Sequence, residues 1–331
     1  MRLGPRPLLA VVAVLAAAPP AHAADYAAAL HRARLDAKAS IAAGAVVDHG
    51  RVVWTAAEGG RATSDSVFSL ASLTKTYTAT LVLQQVQRGR IRLSDRIGRW
   101  LAGRIPPAAA RVTVRELLDH TSGIPDYLDD PQVSHDLGNP NHHWTESELL
   151  DAVRAPRHRG RFSYSNTNFI LLGAILRRVT HENEGRLLID DVVVPLRLTG
   201  TSMLRDSSFA ARVADASHLP NDVWGPIWGD GGIVATASDV ARFLDALVVG
   251  HRLLRPATVA RMLPRTGGFY GLGIYSDTQL IPGETLYGHD GSYGGWYSYG
   301  LSDPHAGMTY VVLLRGGNDD VETALRDIAA G

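Results

Sequence analysis

The chain has 331 residues, 45% of them hydrophobic and 20% charged, so it can bury a large core and is neither a disordered tail nor a fibrous repeat. Lys plus Arg equal Asp plus Glu at 33 each, which removes the long-range field of a nucleic-acid binder, and no nucleic-acid partner is expected. The absence of cysteine excludes a disulfide framework, a thiolate metal site, a cysteine nucleophile and an acylated-cysteine anchor.

In chain order, residues 1–23 open with Arg2 and Arg6, run through apolar Leu8 to Ala18, and reach Ala21-His22-Ala23, the small-residue pattern of a signal peptidase site. Cleavage is expected before Ala24, leaving a mature chain 24–331 that is secreted or periplasmic. The apolar run is shorter than the ~20 residues of a membrane span and no later segment supplies one, so no stable membrane insertion is expected. A helix is predicted around Tyr26 to Ser40. Ala42 to Ala57 then carries apolar and small residues on both sides of Asp48-His49-Gly50, which reads as a β-hairpin.

From Ser72 to about Leu263 the pattern is mainly helical, with T-x-x-E capping boxes at Thr113 to Glu116 and Thr145 to Glu148. Strands return at Tyr270 to Tyr275, Leu286 to His289, Trp296 to Leu301 and Thr309 to Leu314, and a last helix starts near Val321. The expected fold is α/β of the α+β type in a single domain, 24–331. One mainly antiparallel sheet lobe comes from 24–71 and 266–331, with a mainly helical lobe, 72–265, inserted between them.

The chain contains 31 Arg and only two Lys, Lys38 and Lys75, so a lysine needs a reason. Arginine keeps its proton in proteins, whereas a desolvated lysine can exchange one with a neighbour. Lys75 lies three residues after Ser72, so a helix starting near Ser72 places both side chains on one face, amine beside hydroxyl. A serine hydroxyl is a poor nucleophile without an adjacent proton acceptor, and this pair supplies one. Lys38, in a stretch rich in Ala and Arg, reads as a solvated residue.

Tyr164 and Asn166, two apart before the apolar helix Ile170 to Val179, point the same way if their link is extended; a helix-capping loop is the alternative. Gly288-His289-Asp290-Gly291-Ser292 closes a predicted strand, where glycine permits close approach to a ligand or simply makes a turn. Tyr127, Trp224, Trp228, Tyr293 and Trp296 read either as an aromatic substrate wall or as ordinary packing. His142-His143 lacks metal-ligand spacing and Gly229-Asp230-Gly231-Gly232 lacks the Lys-Ser or Lys-Thr of a phosphate loop, so no metal and no cofactor are expected.

At three of these sites the chain resembles the penicillin-recognising serine hydrolases, in the branch with class C β-lactamases, soluble D-alanyl-D-alanine carboxypeptidases and related esterases. That family's ordered signature, S-x-x-K, Y-x-N, then K-T-G or H-x-G, stands here as Ser72 to Lys75, Tyr164 to Asn166 and His289 to Gly291. The segments 117–124 and 231–239 are also similar to the family. The resemblance implies a β-lactamase/transpeptidase-like fold and an acyl-enzyme on Ser72, with Lys75 and Tyr164 handling protons. It further implies that Asn166 binds the amide of the substrate's acyl side chain or holds Lys75, and that the Ser72 and Ser292 N–H groups form an oxyanion hole.

Two departures stand out. His289 replaces the lysine of many relatives, so positive charge there fades above ~6.5 for an unperturbed imidazole. Asp290 replaces a hydroxyl that helps hold a substrate carboxylate; an aspartate facing the cleft repels that carboxylate, whereas one pointing away does not. The implied substrate is a small peptide, amide or ester, and D-alanyl-D-alanine carboxypeptidase is the activity named first. A β-lactamase-fold esterase, a D-amino-acid amidase and a class C-like β-lactamase are the enzymatic alternatives; a catalytically silent penicillin-binding sensor is the non-enzymatic one. The sequence sets no oligomeric state.

Overall fold

The computed structural model describes residues 23–136, 142, 144–203, 229–265, 268–318 and 321–330. The expected signal peptide, His143, Trp224 and Trp228 lie outside the described residues, apart from Ala23. Helix α1 spans Ala23–Asp36 and ends before Ser40, because Lys38 takes a left-handed backbone (φ +54°) that no helix continues. Strands β1, Ile41–Asp48, and β2, Arg51–Glu58, form the expected hairpin. Its turn residues His49 and Gly50 both have positive φ (+45° and +81°), the geometry that matches strand twist in a two-residue turn.

The short strand β3, Phe68–Ser69, leads into a tight turn, Ala71–Leu73, and helix α2, Thr74–Gln87. Residues 74–85 of α2 are all buried, so its threonines need internal partners. Thr76 donates to the Gly273 carbonyl at 2.9 Å and Thr78 to the Gly229 carbonyl at 2.8 Å, which ties two distant loops to this central helix. Both predicted capping boxes form, at Thr113 to Glu116 and at Thr145 to Glu148. A helix over Asn166–Thr180 packs against α2.

Strands β4, Ser202–Met203, and β5, Ile233–Ala235, form with β3 a small sheet ordered β3-β5-β4, inside a stretch whose sequence pattern is mainly helical. The chain returns through β6, Tyr275–Asp277, β7, Leu286–Tyr293, β8, Trp296–Asp303, and β9, Met308–Arg315. The last three match expected strands with longer ends. β6 lies later than expected, because Gly271 donates to the Ile274 carbonyl at 2.8 Å and turns the chain, leaving Tyr270 a single bridge to Tyr275.

Among the described residues the main sheet is six-stranded and antiparallel, ordered β2-β1-β9-β8-β7-β6, so its first and last strands in sequence, β1 and β9, lie side by side inside it. Strand alternation splits its side chains between two cores. Val46, Val312 and Leu314 pack with α1 and the C-terminal helix Val321–Ala330. Ala45, Val47, Val311 and Leu313 join the core containing Leu73, Tyr77 and Phe243. No helix among the described residues is long and apolar enough to cross a membrane.

Candidate active site

The turn before α2 positions the serine. Ala71 is held at φ +44°, a left-handed backbone that costs an ordinary residue about 1 kcal/mol. Its anchors are the Leu70 N–H, donating to the Ile233 carbonyl at 2.9 Å, and the Leu70 carbonyl, accepting from Ser298 Oγ at 2.7 Å. One helical step on, Lys75 is 0% exposed. Its Nζ has three partners: Ser72 Oγ at 3.0 Å, Asn166 Oδ1 at 2.7 Å and the Asp230 carbonyl at 2.8 Å.

That set constrains the chemistry. An ammonium has three N–H donors and each finds an acceptor. Two of the acceptors are carbonyl oxygens, which cannot donate. A neutral amine therefore spends its two N–H groups on Asn166 and Asp230 and turns its lone pair to Ser72. In either state the proton that moves is the one shared with Ser72.

Asn166 is oriented by a second loop. Asp126 Oδ2 accepts from both the backbone N–H and Nδ2 of Asn166 at 2.8 Å, which leaves Oδ1 as the atom facing Lys75. The same loop carries His120, whose Nδ1 accepts from the Ser165 N–H at 3.2 Å and whose ring stacks on Tyr164 at 4.3 Å. Burial first, then Lys75 and His289, pushes His120 well below the ordinary imidazole range, so it is a neutral plate under Tyr164. Lys75 Nζ lies 5.0 Å from the Tyr164 ring centre. Burial raises the Tyr164 phenol, with Lys75 and Ser72 opposing it, although its ring is 39% exposed at the mouth of the site.

β7 forms the opposite wall. A Cβ on Gly291 would stand 2.2 Å from the Leu70 carbonyl oxygen and 2.8 Å from the Ser72 nitrogen, so only glycine lets the strand lie against this turn. Gly291→Ala is expected to destabilise the fold by about 1–3 kcal/mol and to open the site, read by denaturant unfolding and Ser72 labelling rate. His289, on the same strand face, gives Nδ1 to the Asp290 carbonyl at 2.6 Å and shares Nε2 with the Tyr270 hydroxyl at 2.9 Å. The carbonyl can only accept, so Nδ1 carries a proton, and in the neutral ring Tyr270 donates to Nε2. Tyr270 is a site residue that sequence reasoning missed, since it read as one position in a strand.

Three expectations need correction or completion. Asp290 points from the other face of β7, directly across from Tyr299, with its side chain 53% exposed and Oδ1 3.4 Å from His289 Nδ1. Strand alternation thus takes it out of the lining around Ser72, so of the two orientations left open the one pointing away holds, and Asp290 is not placed as a substrate-binding residue. Trp296 is 0% exposed and packs edge-on against Phe68 at 5.8 Å, so it is core and not a substrate wall, because alternation along β8 turns it toward β3. Tyr127 and Ser292 do line the small cleft that opens at Ser72, together with Asn166, Tyr293 and Asp230. Asp230 was read only as part of a glycine-rich turn; nothing local signals that its carbonyl returns to Lys75 across 155 residues.

The profile of the Beta-lactamase family matches residues 27–331, and the chain belongs to that family. It is 33% identical over 296 residues to penicillin-binding protein 4 of Amycolatopsis lactamdurans, covering 77% of this chain and 74% of that protein. Among solved structures, a D-stereospecific amidohydrolase from Streptomyces sp. superposes with a TM-score of 0.76 at 27% identity, covering 93% of this chain and 99% of that one. D-amino acid amidase from Ochrobactrum anthropi SV3 superposes with a TM-score of 0.77 at 25% identity, covering 92% and 97%. The chain is a β-lactamase-fold serine hydrolase related to penicillin-binding proteins and D-amino acid amidases.

Proposed function

We propose that the protein is a serine amidohydrolase that cleaves small D-amino-acid amides or peptides through an acyl-enzyme on Ser72. The observation that carries this reading is the fully buried Lys75, whose other two partners are pure acceptors, so that its exchangeable proton is shared with Ser72 Oγ. Ser72 Oγ attacks the substrate carbonyl as its proton passes to the Lys75 and Tyr164 pair, whose titrations are coupled. The N–H groups of Ser72 and Ser292 hold the developing oxyanion. The carbon–nitrogen bond breaks, the departing amine takes the proton from Tyr164, and water then hydrolyses the ester on Ser72. The amidohydrolase and amidase likenesses support an amide substrate.

A second reading, D-alanyl-D-alanine carboxypeptidase, is favoured by the 33% identity to a penicillin-binding protein. One experiment tests both: intact-protein mass spectrometry after incubation with a penicillin, with peptide mapping, beside hydrolysis of a chromogenic D-amino-acid anilide. Ser72→Ala is expected to abolish adduct and hydrolysis alike. A stable penicillin adduct on Ser72 without anilide cleavage selects the carboxypeptidase, anilide cleavage selects the amidohydrolase, and full activity in Ser72→Ala overturns both. The signal peptide expected at the N-terminus makes the proposed location secreted or periplasmic.

A further inference from the structure

At the far end of α2 from Ser72, three arginines from three separate segments line one open groove of about 610 Å³. Arg92 follows the turn at Gly89, Arg115 lies in the helix Val114–Leu118 and Arg261 in the helix Pro256–Met262. The lining contains no aspartate or glutamate. Carboxylates that neighbour these arginines are engaged by other groups. Asp95 Oδ2 accepts from the Arg92 backbone N–H at 2.8 Å and from the Arg99 side chain at 3.2 Å. Arg159 donates to both oxygens of Glu116 at 2.6 and 2.7 Å, and Arg88 to both of Asp191 at 2.7 and 2.6 Å. Asp119 takes its hydrogen bonds from Thr121 and feels Arg115 through charge alone. Three cations gathered round one groove repel one another, and an anion between them relieves that repulsion.

We propose that this groove binds a soluble ligand carrying clustered phosphate groups, at a site separate from the acyl-transfer cleft. A guanidinium fork gives two parallel hydrogen bonds to two oxygens of one anion. A carboxylate is planar and offers only two oxygens, whereas a terminal phosphate is tetrahedral and offers three. Donors arriving from three segments therefore match the tetrahedral group. Backbone contacts fix two of them together, since the Arg115 N–H donates to the Leu93 carbonyl at 2.9 Å and the Val114 N–H to the Asp95 carbonyl at 3.0 Å. The groove has the volume of a small-molecule site, and its apolar floor of Val86, Ile91 and Leu93 strengthens each charged contact by lowering the local dielectric. The chain's zero net charge gives no long-range field, so capture depends on these three side chains. At ~1.5 Å per residue, Val86 lies about 16 Å along α2 from Lys75, which leaves Ser72 open when the groove is filled.

The test is isothermal titration calorimetry of the full chain with tripolyphosphate and with citrate, at matched ionic strength of about 0.1 M. Tripolyphosphate is expected to bind at least about ten-fold more tightly than citrate. Arg92→Gln and Arg261→Gln, both at exposed positions, are each expected to weaken it about ten-fold. Arg32→Gln, which removes the same charge from exposed α1, should change it by less than about two-fold. Circular dichroism confirms that the variants fold, and the wild-type comparison of the two anions decides even if one does not. No tripolyphosphate binding, citrate binding as tight, or an equal loss in Arg32→Gln each overturns the proposal. Phosphatidylglycerol vesicles test the other source of phosphate. Sedimentation with them that Arg261→Gln abolishes, without tripolyphosphate binding, overturns a soluble ligand in favour of a lipid headgroup.

Discussion

Lys75→Arg is expected to lose about 10²–10⁴-fold in the rate of Ser72 acylation although it preserves positive charge. The guanidinium keeps its proton at any working pH and so cannot take one from Ser72. Its planar fork also cannot reproduce the three short contacts that Lys75 Nζ makes to Ser72, Asn166 and Asp230 from a side chain with no exposed surface. Lys75→Met, which removes the charge at similar volume, should lose a comparable factor. Stopped-flow labelling with a chromogenic penicillin or ester, beside circular dichroism to confirm folding, makes the measurement. An arginine variant that retained most of the rate would show that charge alone, and not proton exchange, activates the serine.

The stability of the wild type is expected to fall steeply as pH rises from about 4.5 to about 8, and Glu184→Gln is expected to remove most of that slope. Glu184 is buried against the helix 166–180, and neither carboxyl oxygen has a hydrogen-bond partner. Burial, with the Asp230 charge adding and Arg177 opposing, raises its pKa to about 8. The folded state thus holds a proton that the unfolded chain releases near its ordinary value of ~4.3. Between these values the folded state binds more protons, so unfolding free energy declines with pH, by an amount on the order of 5 kcal/mol across the window. Asp230, pushed up to about 6, adds a smaller slope of the same sign at lower pH. Urea unfolding of wild type and Glu184→Gln at pH 5.5 and pH 8.5 reads the difference, and parallel pH dependences would remove Glu184 as the cause.

Much of this architecture is legible from local chemistry. The hairpin follows from Asp48-His49-Gly50, both capping boxes from their Thr and Glu spacing, and the Ser72–Lys75 pair from a composition that uses lysine only twice. The misreadings have a common cause, since they turn on which face a strand presents or where a loop returns. Trp296 reads from sequence as either a substrate wall or ordinary packing, and only its place in β8, with the indole turned toward Phe68, decides for packing. The apolar alternation over 270–275 is broken at Gly273, which has a left-handed backbone (φ +72°) and lies so close to α2 that a Cβ there would come 2.4 Å from that of Ala79. Asp230 and Tyr270 carry no signature of their own, because their partners Lys75 and His289 belong to other elements.

The side-by-side pairing of β1 with β9 sets an order of assembly. β1 aligns with β9 from Ile41 opposite Arg315 to Asp48 opposite Met308, so the β1–β2 hairpin keeps one edge open until residues 308–315 have emerged. An open edge of this kind is a template for pairing with other chains, which makes incomplete polypeptides an aggregation hazard. Contacts of such long sequence separation also place the protein among slow folders. The serine and lysine leave the ribosome early, but the wall that Gly291 provides arrives near the end. The proposed site is therefore completed in one late step, and a nascent chain arrested before β7 carries Ser72 and Lys75 without the wall that faces them.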